Sequence, residues 1–160
     1  MIELVWASLA QPTVPAVAVD QVMACYIQED DLSKSDPKNP GQGHPVGPKY
    51  LIAWKFRPLA SFGVSKEPME VHDPHGFLNG LTFAEQHLNA EGSGFFSRRS
   101  GEVRMIGIPA ALLPGQMNKA QFVLTSQGKV TGMGFGFCQV DPRDASVAFD
   151  FWKSQSETLP

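Results

Sequence analysis

Histidines and carboxylates fall close together in the middle of the chain. His72 and His75 flank Asp73 and Pro74 in a His-Asp-Pro-His sequence, and His87 follows downstream. Imidazole and carboxylate groups are ligands that zinc and iron accept. We therefore predict a candidate metal site at His72, His75 and His87, and with it one possible function: a small, metal-dependent enzyme acting on a carbonyl or ester substrate. Solvated surface histidines are the competing interpretation, because the spacing matches neither HExxH nor H-x-H.

A run of alternating glycines near the C-terminus is the second candidate site. In an extended strand, Gly132, Gly134 and Gly136 share one face, and the Met and Phe residues between them share the other. A strand that is bare on one face admits a backbone, an aromatic ring or a ligand, and it also lets a sheet bend sharply. We predict that these glycines lie in a bent sheet and, with Trp54 and Phe56, line a site for an apolar ligand. Curvature and core packing alone would explain the same pattern.

The two cysteines leave two alternatives open. Cys25 and Cys138 lie inside apolar runs, where buried free thiols act as small hydrophobic residues. A disulfide between them would instead close a loop spanning most of the chain, and it requires α-carbons within about 7 Å. With only two cysteines, a disulfide-dense scaffold and zinc sites built on paired CxxC motifs are excluded.

Composition places the chain among soluble globular domains. Of its 160 residues, 42% are hydrophobic and 18% are charged, and the formal net charge is −3. This balance does not favour a disordered chain, and so mild a charge gives no reason to expect nucleic acid as a partner. No apolar run approaches the roughly 20 residues that cross a bilayer, and the N-terminus lacks the basic region of a signal peptide. We predict one soluble domain over residues 1–160, without a nucleic-acid or membrane partner, and the compartment and any cofactor stay open.

Fifteen glycines and thirteen prolines favour short strands joined by turns. The apolar runs at 22–27 and 50–56 predict two buried strands. A loop rich in proline and glycine lies between them at 29–48, and loops of this size are usually functional or disordered. This loop motivates a further alternative, a structural or assembly subunit of a homo-oligomer in which 29–48 is an arm ordered by a neighbouring subunit.

Two hairpins are predicted in the second half of the chain. Their turns are Ser100-Gly101 and Gln127-Gly128, where glycine supplies the positive φ that tight hairpin turns need. In the second hairpin, a two-residue turn places Leu124 opposite Thr131. The segment 122–132 resembles the hairpin of small lipocalin-like barrels, and we carry no functional residue over from this resemblance.

Two helices complete the predicted fold. Thr82 and Glu85 have the spacing of a capping box, which predicts a short internal helix that Asn89 and Gly92 end. Asp141 and Pro142 have the residue types of an N-cap and a first helical position, which predicts a C-terminal helix. The fold class is mainly β within α+β: a curved antiparallel sheet or small β-barrel with these two helices.

The residues favour binding over catalysis. The alternating glycines and the many aromatic side chains suit a surface that holds another molecule, and no acid–base constellation stands out. We therefore expect a non-catalytic binding module whose curved β-sheet holds an apolar small molecule or a partner protein.

Overall fold

The structure is a computed structural model that describes residues 19–30, 46–57, 63–65, 70–78, 83, 85–88 and 91–158, with backbone alone at 46–48 and 63–65. Within these residues, nine antiparallel strands form one sheet and a single helix follows them. The strands are β1 (Gln21–Asp30), β2 (Val46–Phe56), β3 (Gly63–Ser65), β4 (Val71–His72), β5 (Glu85–Leu88), β6 (Ser93–Arg99), β7 (Glu102–Ile108), β8 (Met117–Ser126) and β9 (Lys129–Asp141). Their order across the sheet is β3-β5-β6-β7-β8-β9-β1-β2-β4.

The sheet curls until strands that are far apart in its order meet. Four strands separate β2 from β6 in the sheet, yet the ring centroids of Trp54 on β2 and Phe95 on β6 lie 5.0 Å apart. Phe56 on β2 lies 5.7 Å from the same ring of Phe95. The sheet is therefore a curled half-barrel, which confirms the predicted class of a curved, mainly antiparallel β fold. Its concave side, called the inner face below, carries the hydrophobic core.

A turn of the chain packs into the concave side of the half-barrel. The Asp73 carboxylate accepts hydrogen bonds from the backbone N–H groups of Phe77 and Leu78, at 2.8 and 2.6 Å. Arg104 on β7 donates to the Phe77 carbonyl oxygen at 2.7 Å. The side chains of Phe77 and Leu78 are buried in the core, where the Phe77 ring lies 4.0 Å from that of Phe122. The inner face is therefore filled by the chain's own side chains along much of its length.

The strands predicted at 22–27 and 50–56 are confirmed, and both are longer than predicted. Strand β1 continues to Asp30 and β2 begins at Val46, because the antiparallel ladder runs on until these two residues pair. The predicted loop at 29–48 is therefore wrong at both ends. Residues 31–45, and with them the proposed arm, lie outside the described residues.

Both predicted hairpin turns are confirmed. The central residues of each turn have positive φ angles: 45° at Ser100, 83° at Gly101, 50° at Gln127 and 75° at Gly128. Two successive positive φ values define the type I′ turn, whose twist matches that of the strands it joins.

The register predicted for the second hairpin is wrong by one residue beyond the turn. The pairing shifts between Leu124 and Thr125, so that Leu124 faces Gly132 instead of Thr131. Thr131 is the extra residue of a β-bulge, which bends a strand and increases its twist. Because of this shift, the alternating glycines of β9 lie opposite inner-face residues of β8.

The short internal helix is wrong, since residues 85–88 form strand β5. This strand pairs with β3 on one side and β6 on the other, and Gln86 stands opposite Phe95. Gln86 is buried while its neighbours in the strand are partly exposed, which is the two-residue period of a sheet. Pairing on both sides of the strand outweighs the local capping pattern at Thr82, which itself lies outside the described residues.

The C-terminal helix, α1 (Ala145–Ser156), packs on the convex side of the sheet, called the outer face below. Ala148 and Phe149 are buried against Val22 of β1. In the part of the chain that is described, no helix combines the length and apolar character needed to span a bilayer.

The start of α1 differs from the prediction. Asp144 is the N-cap, and its carboxylate accepts a hydrogen bond from the Ser146 N–H at 3.0 Å. Asp141, the predicted N-cap, is instead the last residue of β9 and pairs with Val22. Asp141 and Pro142 therefore join strand to helix, because the ladder with β1 holds Asp141 in the sheet.

Candidate functional site

The three alternating glycines lie on the inner face of β9, where neighbouring chain atoms already occupy the adjacent space. A Cβ atom on Gly136 would overlap the backbone oxygen of Tyr26, and one on Gly134 would lie 2.8 Å from that of Gln28. A Cβ atom on Gly132 would lie 3.2 Å from a side chain of β8. The predicted extended strand in a bent sheet is confirmed, and the glycines allow β1 to approach β9 closely.

Trp54 and Phe56 are part of the core. Their exposed fractions are 0% and 2%, and the Trp54 ring lies 5.0 Å from those of both Phe83 and Phe95. The Trp54 Nε1 donor and the Gln86 Oε1 acceptor are buried and have no hydrogen-bond partner among the described residues. The part predicted for Trp54, Phe56 and the three glycines in ligand binding stays a prediction.

His72 forms a hydrogen bond with the C-terminal helix. Its Nε2 atom lies 2.7 Å from the Ser156 Oγ atom, and the Ser156 hydroxyl donates to the Lys153 carbonyl oxygen at 2.7 Å. The Ser156 oxygen is therefore left to accept a hydrogen bond from His72 Nε2–H. Burial, and secondarily the charge of Lys153, lowers the pKa of His72, which favours a neutral ring near pH 7.

His87 lies in a different part of the sheet, on β5, next to the edge opposite to that formed by β4. Its Nε2 atom is 2.6 Å from Glu85 Oε1, and the other Glu85 oxygen is 3.3 Å from Arg98 Nε. His75 is exposed in the turn that follows β4. Among the described residues, no three His, Cys, Asp or Glu side chains form a group that could hold a metal ion. The metal site at His72, His75 and His87 and the metal-dependent enzyme stay predictions.

The cysteines form a disulfide. Cys25 on β1 and Cys138 on β9 are paired directly across the ladder, and their α-carbons are 4.1 Å apart. The alternative of two free thiols is therefore wrong. Both side chains are buried on the inner face, so the disulfide joins the same two strands that the glycines bring close together.

Aromatic side chains are exposed on the outer face of β9. Phe135 and Phe137 are each 48% exposed, and Tyr26, which stands opposite Phe137 on β1, is 40% exposed. Helix α1 covers another part of the outer face and leaves these rings in contact with solvent. They form an apolar surface on the side of the sheet that sequence reasoning did not select.

An open cleft of about 430 Å³ lies beside Phe135. Gly107 on β7 faces Gln121 on β8, which in turn faces Phe135 on β9. A Cβ atom on Gly107 would meet nothing closer than 3.8 Å, so the missing side chain leaves the sheet surface open there. Nine residues line the cleft: Gly92, Ser93, Gly107, Ile108, Pro109, Lys119, Ala120, Gln121 and Phe135. Its volume falls within the range of roughly 300–1,000 Å³ that is typical of small-molecule sites.

Sequence reasoning missed Gly107, Lys119 and Phe135, although one signal for them was present. Alternation along 102–108 puts Gly107 on the face opposite to the apolar residues on either side of it. What alternation cannot show is that Gly107, Gln121 and Phe135 lie in one row, because that row depends on the bulge between β8 and β9. No family model matches the chain, and no curated protein or solved structure matches it either.

Proposed function

We propose that this protein is a non-catalytic binding module that holds an apolar small molecule in the cleft beside Phe135. The observation that carries the proposal is that the sheet surface is open at Gly107 and that the half-exposed ring of Phe135 lines the same cleft. A flat apolar molecule on this floor would remove its own surface and that of the ring from water, and each Å² of buried apolar surface contributes about 25 cal/mol.

The cleft also has polar groups that could orient a bound molecule. Gln121 stands between Gly107 and Phe135 on the outer face, where its side chain is exposed. A mainly apolar wall with a few polar groups is the usual composition of small-molecule sites. The ligand is therefore proposed to be held chiefly by apolar contact and oriented by one or two hydrogen bonds.

The neutral fluorescent probe N-phenyl-1-naphthylamine tests this proposal, because its emission rises when it leaves water. The blocking variant is Gly107→Val. The φ angle of Gly107 is not in the left-handed region and a Cβ atom there has space, so a β-branched residue suits this strand position. We expect saturable, one-to-one binding to the unmodified protein and a loss of at least about ten-fold in affinity with Gly107→Val, as for a lost apolar contact of about 1.4 kcal/mol.

Thr125→Val is the matched control. It introduces the same side chain on the outer face of β8, at a position that does not line the cleft. Circular dichroism and thermal unfolding would first establish that both variants fold as the unmodified protein does. Equal probe affinity in the unmodified protein and Gly107→Val, or no saturable binding at all, would contradict the proposal.

A further inference from the structure

We infer that the ligand of the cleft carries an anionic group, which Lys119 binds at the rim. This inference rests on the proposed function and names the chemical class of the ligand. Of the nine residues that line the cleft, Lys119 alone carries a formal charge at neutral pH. Apolar walls with one cation match an apolar molecule that bears a carboxylate or a sulfonate.

The described residues around Lys119 include no counter-ion for its charge. Its neighbours on the outer face of β8 are Met117 and Gln121, and Phe137 stands opposite it on β9, all of them uncharged. Among the described side chains, no ion pair involves Lys119. Lys55, also on the outer face, differs in this respect, because its Nζ lies 2.7 Å from a Glu70 carboxylate oxygen.

The strand register places Lys119 close enough to Phe135 for one ligand to contact both residues. Phe135 stands opposite Gln121, and Lys119 is two residues along β8 from Gln121, so Lys119 and Phe135 are diagonal neighbours on the same face. Diagonal neighbours on a sheet are about 7–8 Å apart. A ring that lies over Gly107 and against Phe135 can therefore present an anionic substituent to the Lys119 ammonium group.

The cleft would make this ion pair stronger than one on an open surface. Apolar walls lower the local dielectric constant, and charge-assisted hydrogen bonds are about twice as strong as neutral ones. The protein as a whole carries a net charge of −3, so a general positive field does not draw anions to it. Selection of an anion would depend on Lys119 itself.

Two probes that differ by one sulfonate separate the ionic contribution from the apolar one. They are neutral N-phenyl-1-naphthylamine and its sulfonated form, 8-anilino-1-naphthalenesulfonate. The variant is Lys119→Met, which keeps an apolar stem and removes the charge. At low ionic strength we expect Lys119→Met to weaken binding of the sulfonate about five-fold, the upper range for a partly exposed ion pair, and to leave the neutral probe unchanged. Added salt should reduce the difference.

Lys129→Met is the control, because Lys129 is exposed at the other end of β9 and does not line the cleft. It should leave the binding of both probes unchanged. If Lys119→Met weakens both probes equally or neither, while Gly107→Val still prevents binding of the neutral probe, the inference about the anion is wrong and the proposed function stands. If Gly107→Val leaves the neutral probe bound, or the neutral probe does not bind the unmodified protein, the proposed function fails and the inference falls with it.

Discussion

The two faces of strand β9 differ in how closely the rest of the chain packs against them. On the inner face, Gly134 and Gly136 let the backbone of β1 come nearer than any side chain would permit. On the outer face, Phe135 and Phe137 stand half in water. The smallest residues thus lie where the fold is tightest, and large apolar residues lie where it is open. Since apolar residues are most often found inside, the outer rings are the ones that call for an explanation beyond core packing.

One part of the outer face is covered by helix α1 and can be compared with the part around Phe135. Helix α1 places Phe149 and Ala148 on Val22, which is completely buried as a result. No described element covers Phe135 in the same way. Changes on the inner face should therefore alter the stability of the protein, and changes around Phe135 on the outer face should alter binding.

The largest expected effect on stability comes from the disulfide on the inner face. The bridged residues are separated by 113 positions in the chain, and for loops of about 100 residues the chain-entropy model gives about 4–5 kcal/mol. We expect the double variant Cys25→Ala/Cys138→Ala to lose about this much of the free energy of unfolding in urea titrations. Reductant should lower the unfolding midpoint of the unmodified protein and leave that of the double variant unchanged. A midpoint that does not respond to reductant in the unmodified protein would be evidence against the bridge.

Adding one methyl group at Gly136 should also be strongly destabilising. Its Cβ atom would overlap the Tyr26 backbone oxygen, which belongs to a paired strand and cannot move freely. We expect Gly136→Ala to cost about 3 kcal/mol, the upper range for overpacking a core. Gly132→Ala is the matched control and should cost clearly less, because its nearest contacts would be Leu124 side-chain atoms, from 3.2 Å, instead of an overlapping backbone oxygen. Similar losses in the two variants would contradict the close approach of β1 to β9.

Acid should weaken the attachment of α1 to the outer face through Asp141. This buried carboxylate accepts hydrogen bonds from Arg143 Nε at 2.9 Å and from Trp152 Nε1 at 2.9 Å. The Arg143 hydrogen bonds, despite opposing burial, lower the pKa of Asp141 from 3.8 to about 2. The folded state therefore binds the proton more weakly than the unfolded state, and the resulting stability is complete above about pH 5 and is lost as the pH falls towards 2.

This carboxylate should contribute about 2 kcal/mol near neutral pH, at 1.36 kcal/mol for each unit of pKa difference. In denaturant titrations, the difference in stability between the unmodified protein and Asp141→Asn should shrink steadily from pH 5 to pH 2. Asp150→Asn, at an exposed helix position, is the control and should follow the unmodified protein at every pH. A pH-independent difference for Asp141→Asn would show that the carboxylate acts through packing alone.

Local patterns were enough to predict much of the sheet. The Gln127-Gly128 turn and the alternation of glycines in β9 are readable because turn chemistry and the two-residue period act over a few residues. The bulge at Thr131 was not readable, because it depends on how β8 and β9 twist together. Strand β5 was missed for the same kind of reason: residues 85–88 become a strand by pairing with two neighbours that are distant in the sequence.

The predicted glycine site and the cleft beside Phe135 lie on opposite faces of β9, and the sequence pattern pointed only to the first for a physical reason. A strand face without side chains indicates that other atoms approach the strand closely, but the sequence does not show whether those atoms belong to a ligand or to the chain itself. Cys138 and Val140 continue the glycine face of β9 and are buried with it, and an apolar continuation of this kind marks the core side. The cleft beside Phe135 is also lined by Gly107, which lies two strands away in the sheet. It could therefore be found only once the strand order and register were known.

The smallest expected effect on stability is that of removing the Phe135 ring, and a buried phenylalanine of the inner face serves as the comparison. Phe122 on β8 is buried on the inner face, opposite Gly134, and Phe135 is half exposed on the outer face. We expect Phe122→Ala to cost about 3–5 kcal/mol, as for other buried aromatic residues. Phe135→Ala should cost less than about 1 kcal/mol, the span of side-chain preferences in strands, and should nevertheless weaken binding of N-phenyl-1-naphthylamine. Urea unfolding and the probe titration measure the two effects on the same samples. A large stability loss in Phe135→Ala with unchanged probe binding would show that the outer ring supports the fold and leaves the cleft without its proposed wall.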